Sequence, residues 1–169
     1  MDTTHLHLLL NHFPIIGTLI AIVILAYGVL VDSRRTAKIS LAVLVVMSLI
    51  AIPVFLTGEP AEESVEKLPG VAESIIEDHE EAAEVAIWMM AVLGVLAALS
   101  FVNLISSNKI NKSLVGITLF VGFITFGAMA RTGYLGGQIR HSEIRQGIMV
   151  KNGLEGNQEQ STPSEKDDD

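Results

Sequence analysis

Four long runs of uncharged, mostly apolar residues alternate with charged connections along the chain. Phe13 to Val31 and Ile39 to Gly58 make one pair of runs, and Val85 to Ser107 and Ser113 to Ala130 make another. A helix rises about 1.5 Å per residue, so roughly 20 apolar residues cross a hydrocarbon core about 30 Å thick. Each run therefore predicts a transmembrane helix, with spans at about 8–31, 39–58, 83–107 and 113–134. Pro53 interrupts the second run near its end. In the acidic connection from Glu59 to Glu84, Val71, Ile75 and Ile76 are spaced along one helix face. That spacing predicts a short amphipathic helix running through Asp78-His79-Glu80-Glu81 into the third span. Past residue 153 the chain is polar and ends in Asp167-Asp168-Asp169, with too little apolar surface to order itself. The expected architecture is all-α: an integral membrane four-helix bundle over residues 1–152, with a short amphipathic helix between spans 2 and 3 and a disordered acidic C-terminal tail over 153–169.

Composition agrees with the pattern: half of the 169 residues are hydrophobic, and the mean hydropathy is +0.49. A cleaved signal peptide begins with basic residues, whereas this chain begins Met-Asp-Thr-Thr and carries Arg34, Arg35 and Lys38 after the first run. That order predicts a retained span. The first short connection holds Arg34, Arg35 and Lys38, and the third holds Lys109 and Lys112. The positive-inside rule puts both in the cytoplasm and both termini outside, although Arg140, Arg145 and Lys151 pull the other way. The net charge of −8 and the lack of a basic patch disfavour nucleic acid as a partner. With no cysteine there is no disulfide, no Cys-ligated iron–sulfur cluster and no thioether-linked haem, so any metal or cofactor must bind through nitrogen, oxygen or Met thioethers. No hydrolase, phosphate-loop or His-Glu-x-x-His motif is present, and the chain does not read as an enzyme by itself.

The candidate chemistry lies in the histidines. His5, His7 and His12 precede or open the first run, His79 precedes the third and His141 follows the fourth. With four crossings, all five fall on one membrane face. His5 and His12 share a helix face about 10 Å apart, whereas His7 and His12 are about 140° out of phase. Those two can serve one ligand only if the helix is irregular there, and Pro14 supplies a cause. Taken singly, each imidazole also suits the half-solvated membrane interface. Gly136-Gly137 removes side chains near His141 and permits close approach of a backbone or a flat cofactor. Arg131 and Arg140 sit near the end of the last span, where they snorkel or meet an anion, with Glu59, Glu63 or a lipid phosphate favoured over a haem propionate. An internal symmetry shows in Thr57-Gly58 and Thr132-Gly133, which end the second and fourth runs, and in His12 and His79, which open the first and third. Two hairpins inserted in the same sense produce such a pattern.

His7, His12, Phe13 and Pro14, then Thr57-Gly58, then a histidine ahead of the third span, then Gly136, Gly137 and His141 form an ordered set. The set resembles a widespread bacterial family of four-span membrane proteins catalogued as a domain of unknown function. The resemblance covers residues 5 to 146. It departs from the family at Leu8, where many relatives have proline, and at Ser142, where they have glycine. It implies a bacterial inner membrane and redox chemistry, because family members occur beside Rieske-type or other electron-transfer partners.

The expected function is a small membrane protein with a His-lined site on one face, binding haem b and passing electrons or serving in a respiratory complex. The expected axial ligands are His12, His79 and His141, with His7 as a fourth and with Gly136, Gly137 and Arg140 around them. One alternative is a non-haem divalent metal ion on His12, His79 and His141, with Asp78, Glu80, Glu81 and Glu84 nearby. The other is an accessory or scaffold subunit without cofactor, held to partner proteins by small-residue faces such as Gly116, Gly122 and Gly127. The expected partners are the lipid bilayer and redox proteins.

Overall fold

The computed structural model describes residues 3–66, 71, 73–107 and 109–141, and no strand occurs among them. In chain order the helices are α1 (Thr3–Leu10), α2 (His12–Leu30), α3 (Arg34–Leu56), α4 (Gly58–Glu66), α5 (Glu73–Ser107) and α6 (Lys112–Arg140). Four stretches, Thr3–Leu30, Arg34–Glu66, Glu73–Ser107 and Lys112–Ile139, are long and apolar enough to cross a membrane. The expected disordered tail over 153–169 lies outside the described residues.

Local chemistry sets the helix ends. Pro14 has no N–H to give the Leu10 carbonyl, so the hydrogen-bond ladder is interrupted and α1 is divided from α2 at Asn11, whose dihedrals (φ −59°, ψ −29°) stay helical. Ser33 Oγ accepts the Thr36 N–H at 3.3 Å and caps α3, while Asn111 Oδ1 accepts the Leu114 N–H at 3.1 Å and caps α6. Asp32, with φ of 52°, makes the left-handed step between α2 and α3. The amphipathic connection divides in two. Its Ile75–Ile76 face belongs to the first turns of α5, which start about three turns ahead of the predicted span. The Gly58–Glu66 stretch forms a separate helix laid against α1, where Thr4 Oγ1 donates to Ser64 Oγ at 3.1 Å.

The four long helices form a ring in which α3 lies between α2 and α5, and α6 lies between α5 and α2. The centre holds Ile22, Leu25, Leu41, Leu44, Met90 and Leu93 together with the buried hydroxyls of Thr18, Ser40, Ser100, Thr118 and Thr125. Those hydroxyls are satisfied: Ser100 and Thr118 share a 2.8 Å bond, and Ser40, Thr118 and Thr125 each donate to the carbonyl one turn back. Large apolar side chains such as Leu30, Trp88 and Phe120 face outward. Hydroxyls set among Leu, Ile and Met inside, with bulky hydrocarbon also outside, is a distribution that lipid as solvent permits.

The two hairpins repeat one another. Positions 72 apart correspond between α1–α2 and α5, as in the contact of Thr18 with Met90 on the bundle axis. Buried Pro14, Thr18, Ala21, Leu25 and Gly28 thus match buried Ala86, Met90, Leu93, Ala97 and Ser100. Positions 78 apart correspond between α3 and α6, which pairs the caps Ser33 and Asn111 and the back-bonded hydroxyls Ser40 and Thr118. Contacts repeat as well. Met47 packs where Gly17 lacks a Cβ, and at the matching place Thr125 Oγ1 donates to the Met89 carbonyl at 3.4 Å. The repeat visible in the Thr-Gly pairs is real in kind but three residues out of register, because Val54, not Thr57, corresponds to Thr132.

Candidate functional site

At the end of the bundle where α4 lies, two histidines occupy corresponding positions and similar surroundings. His7, on α1, is half-buried and donates from Nδ1 to the Val54 carbonyl of α3 at 3.0 Å. His79, on α5, is half-buried and donates from Nδ1 to the Thr132 carbonyl of α6 at 3.0 Å. A carbonyl can only accept, so in the neutral ring the proton sits on Nδ1 and Nε2 keeps its lone pair. Each carbonyl is followed four residues later by a glycine at the imidazole. A Cβ on Gly136 would stand 2.9 Å from His79 Cε1 and 3.2 Å from its Nδ1, and one on Gly58 would stand 3.7 Å from His7 Cε1. Thr57 Oγ1 lies 3.4 Å from His7 Nδ1 while donating to the Pro53 carbonyl at 2.8 Å. His7 and His79 are near enough for a charge on one to act on the other.

The remaining predicted site residues stand apart from this pair. His12 opens α2 and is exposed, because five residues of near-continuous helix carry it about 140° round from His7. His141 is the exposed C-cap of α6, where its N–H reaches the Gly137 carbonyl at 3.0 Å. Among the described residues, no group of three or more His, Asp and Glu is placed to hold a metal ion. His12, His79 and His141 therefore do not converge on a shared ion there. Gly136 does admit a close approach, but what approaches is the His79 ring. Gly137 contributes its carbonyl to the helix end, and the Arg140 side chain lies outside the description. Arg131 is exposed on α6, next to the residue whose carbonyl holds His79.

The acidic residues gather around the same end. Glu62 of α4 lies outside the apolar runs, and its carboxyl is pushed above the ordinary carboxylate range, first by partial burial and then by Glu80, Glu66 and Glu59. The interaction with Glu80 places α4 beside the first turns of α5. At the Asn11 break, Oδ1 is buried without a hydrogen-bond partner among the described residues.

No family model matches the chain, and no curated protein or solved structure does either. The histidine pair is the feature of this end that bears on function. Helical phase against His12 ranks His7 lower in the sequence, whereas the structure half-buries His7 and exposes His12. The signal that picks His7 out is the double spacing, 72 residues to His79 in one helix set and 78 from Gly58 to Gly136 in the other.

Proposed function

We propose that the protein is a small membrane redox subunit that holds one non-covalent haem b between His7 and His79. The observation that carries this reading is the paired geometry: both rings are held at Nδ1 by a helix carbonyl, which leaves two Nε2 lone pairs as ligands. Orientation of a metal-bound imidazole by such a bond at its other nitrogen is the general rule for histidine ligands. Two nitrogen donors match the axial demand of a haem, whereas a structural zinc ion takes four ligands and a catalytic one three. The donor set fits. When bound, haem supplies a one-electron couple; Val54 and Thr132 would fix the two rings, and Arg131 would face a propionate. The test is a reduced-minus-oxidised optical spectrum of protein expressed with ample haem. We expect b-type bands, and their absence overturns the reading.

A second reading is favoured by the same two bonds. Each joins two helices of one hairpin, α1 to α3 and α5 to α6, so the imidazoles can serve as latches in a cofactor-free accessory subunit. The variants His7→Asn and His79→Asn separate the readings, because an amide N–H replaces the Nδ1 donor and removes Nε2. A latch keeps its stability in these variants, whereas a haem site loses its bands.

A further inference from the structure

The two hairpins differ sharply at one pair of corresponding places, and the difference opens a groove. Between α3 and α5 lies a cleft of about 320 Å³ lined by Phe55, Glu84, Ile87, Trp88 and Ala91. The corresponding residues between α6 and α2 are Gly133, His12, Ile15, Ile16 and Leu19. There the space is closed, since Ile15 Cδ1 lies 3.1 Å from where a Gly133 Cβ would stand. In the open copy Phe55 replaces the glycine and Trp88 replaces Ile16, giving two aromatic walls. Glu84 replaces His12 at the head of the cleft. Trp88 is 68% exposed and Phe55 40%, both on the outer surface that faces lipid. Glu84 lies five residues beyond His79 on the same helix, about 7.5 Å along its axis and about 140° around it, so the cleft lies toward the same end of the bundle on another face of α5.

We propose that this groove is a binding site for the head group of a membrane quinol, a neutral ring bearing hydroxyl donors. The volume lies at the lower end of the roughly 300–1,000 Å³ range of small-molecule sites, and the lining is apolar with one polar group, as such sites require. Access is lateral from the bilayer, which selects a lipophilic ligand. Aromatic walls select a flat one through ring stacking. The Glu84 carboxylate accepts hydrogen bonds and repels anions, which favours a hydroxyl over a lipid phosphate. The choice of a quinol among flat, hydroxyl-bearing amphiphiles rests on the redox reading above.

Trp88 is the single tryptophan of the chain, so its emission reports on this groove alone. The full-length protein in zwitterionic nanodiscs is titrated with a short-chain alkyl benzoquinol, with and without bound haem. The expected result is saturable quenching, with the half-saturating concentration raised about tenfold in Glu84→Leu and less in Glu84→Gln, which keeps an acceptor oxygen. Quenching that rises linearly without saturation, or saturates equally in wild type and both variants, overturns the proposal. So does protection of Trp88 by added phosphatidylglycerol, which assigns the groove to an anionic lipid. The fluorescence does not require haem, so a failed haem spectrum and a failed titration are separate outcomes.

Discussion

Placing a methyl group on Gly136 tests the central geometry directly. In Gly136→Ala the new Cβ would lie 2.9 Å from His79 Cε1 and 3.2 Å from Nδ1, closer than carbon and ring atoms tolerate. The ring cannot swing away freely, because Nδ1 is held by the Thr132 carbonyl at 3.0 Å on the same helix. Overpacking of this kind costs about 1–3 kcal/mol, and losing the bond costs about 0.5–1.5 kcal/mol more. Replacing a mid-helix glycine returns about 0.5–1 kcal/mol. The net expectation is a destabilisation of roughly 1–3 kcal/mol. The controls are built into α6: a Cβ on Gly116 or Gly127 meets nothing within 4 Å, so those alanine variants are neutral or stabilised. On the matching turn, Gly58→Ala meets His7 only at 3.7 Å and costs less than Gly136→Ala. The assay is reversible unfolding in mixed micelles followed by helical circular dichroism. If Gly136→Ala is no less stable than Gly127→Ala, the His79 ring does not occupy that space and the paired-imidazole site fails with it.

Other expectations follow from the same contacts. Gly94→Ala puts a Cβ 2.7 Å from that of Ser48 and is expected to lose about 1–3 kcal/mol in micelle unfolding, most of it restored by adding Ser48→Gly. Ser100→Ala and Thr118→Val each break the buried 2.8 Å hydroxyl pair, and a double-mutant cycle is expected to give a coupling of about 0.6 kcal/mol; strict additivity would show that the pair does not form. In a haem-loaded preparation, His7→Ala and His79→Ala are each expected to lose the low-spin spectrum, whereas His12→Ala keeps it; the reverse order returns the ligand role to His12. Glu62 binds its proton more tightly when folded, so its contribution to stability is greatest at acid pH and is lost as pH rises through and above the ordinary carboxylate range. Glu62→Gln should therefore raise the melting temperature at pH 7 and leave it unchanged at pH 4, with the gain shrinking in high salt.

The spans were legible because lipid imposes a one-dimensional rule: a crossing helix must be apolar along its length, and Phe13–Val31 or Val85–Ser107 satisfies that without reference to any neighbour. Helix starts were equally local, written in Ser33 and Asn111. The gathering of histidines at one end followed from counting crossings. Choosing among them was another matter, since helical phase treated His7 and His12 as competitors on one straight helix. The chain stays helical through Asn11, so the roughly 140° between them holds and leaves His7 against Val54 and His12 in the open. The Thr-Gly pairs hinted at the repeat but misplaced its register, because the glycines that matter are those under an imidazole, Gly58 and Gly136.

By itself the sequence determined four apolar helices and their order, because those properties depend on neighbours along the chain. Only the tertiary structure decided that His7 and His79 lie near one another, that Gly136 is small to admit a ring, and that Phe55, Glu84 and Trp88 border a cleft where Ile15 packs at the corresponding glycine. Those facts join residues at least 29 positions apart, and such residues meet only where helix packing brings their faces together.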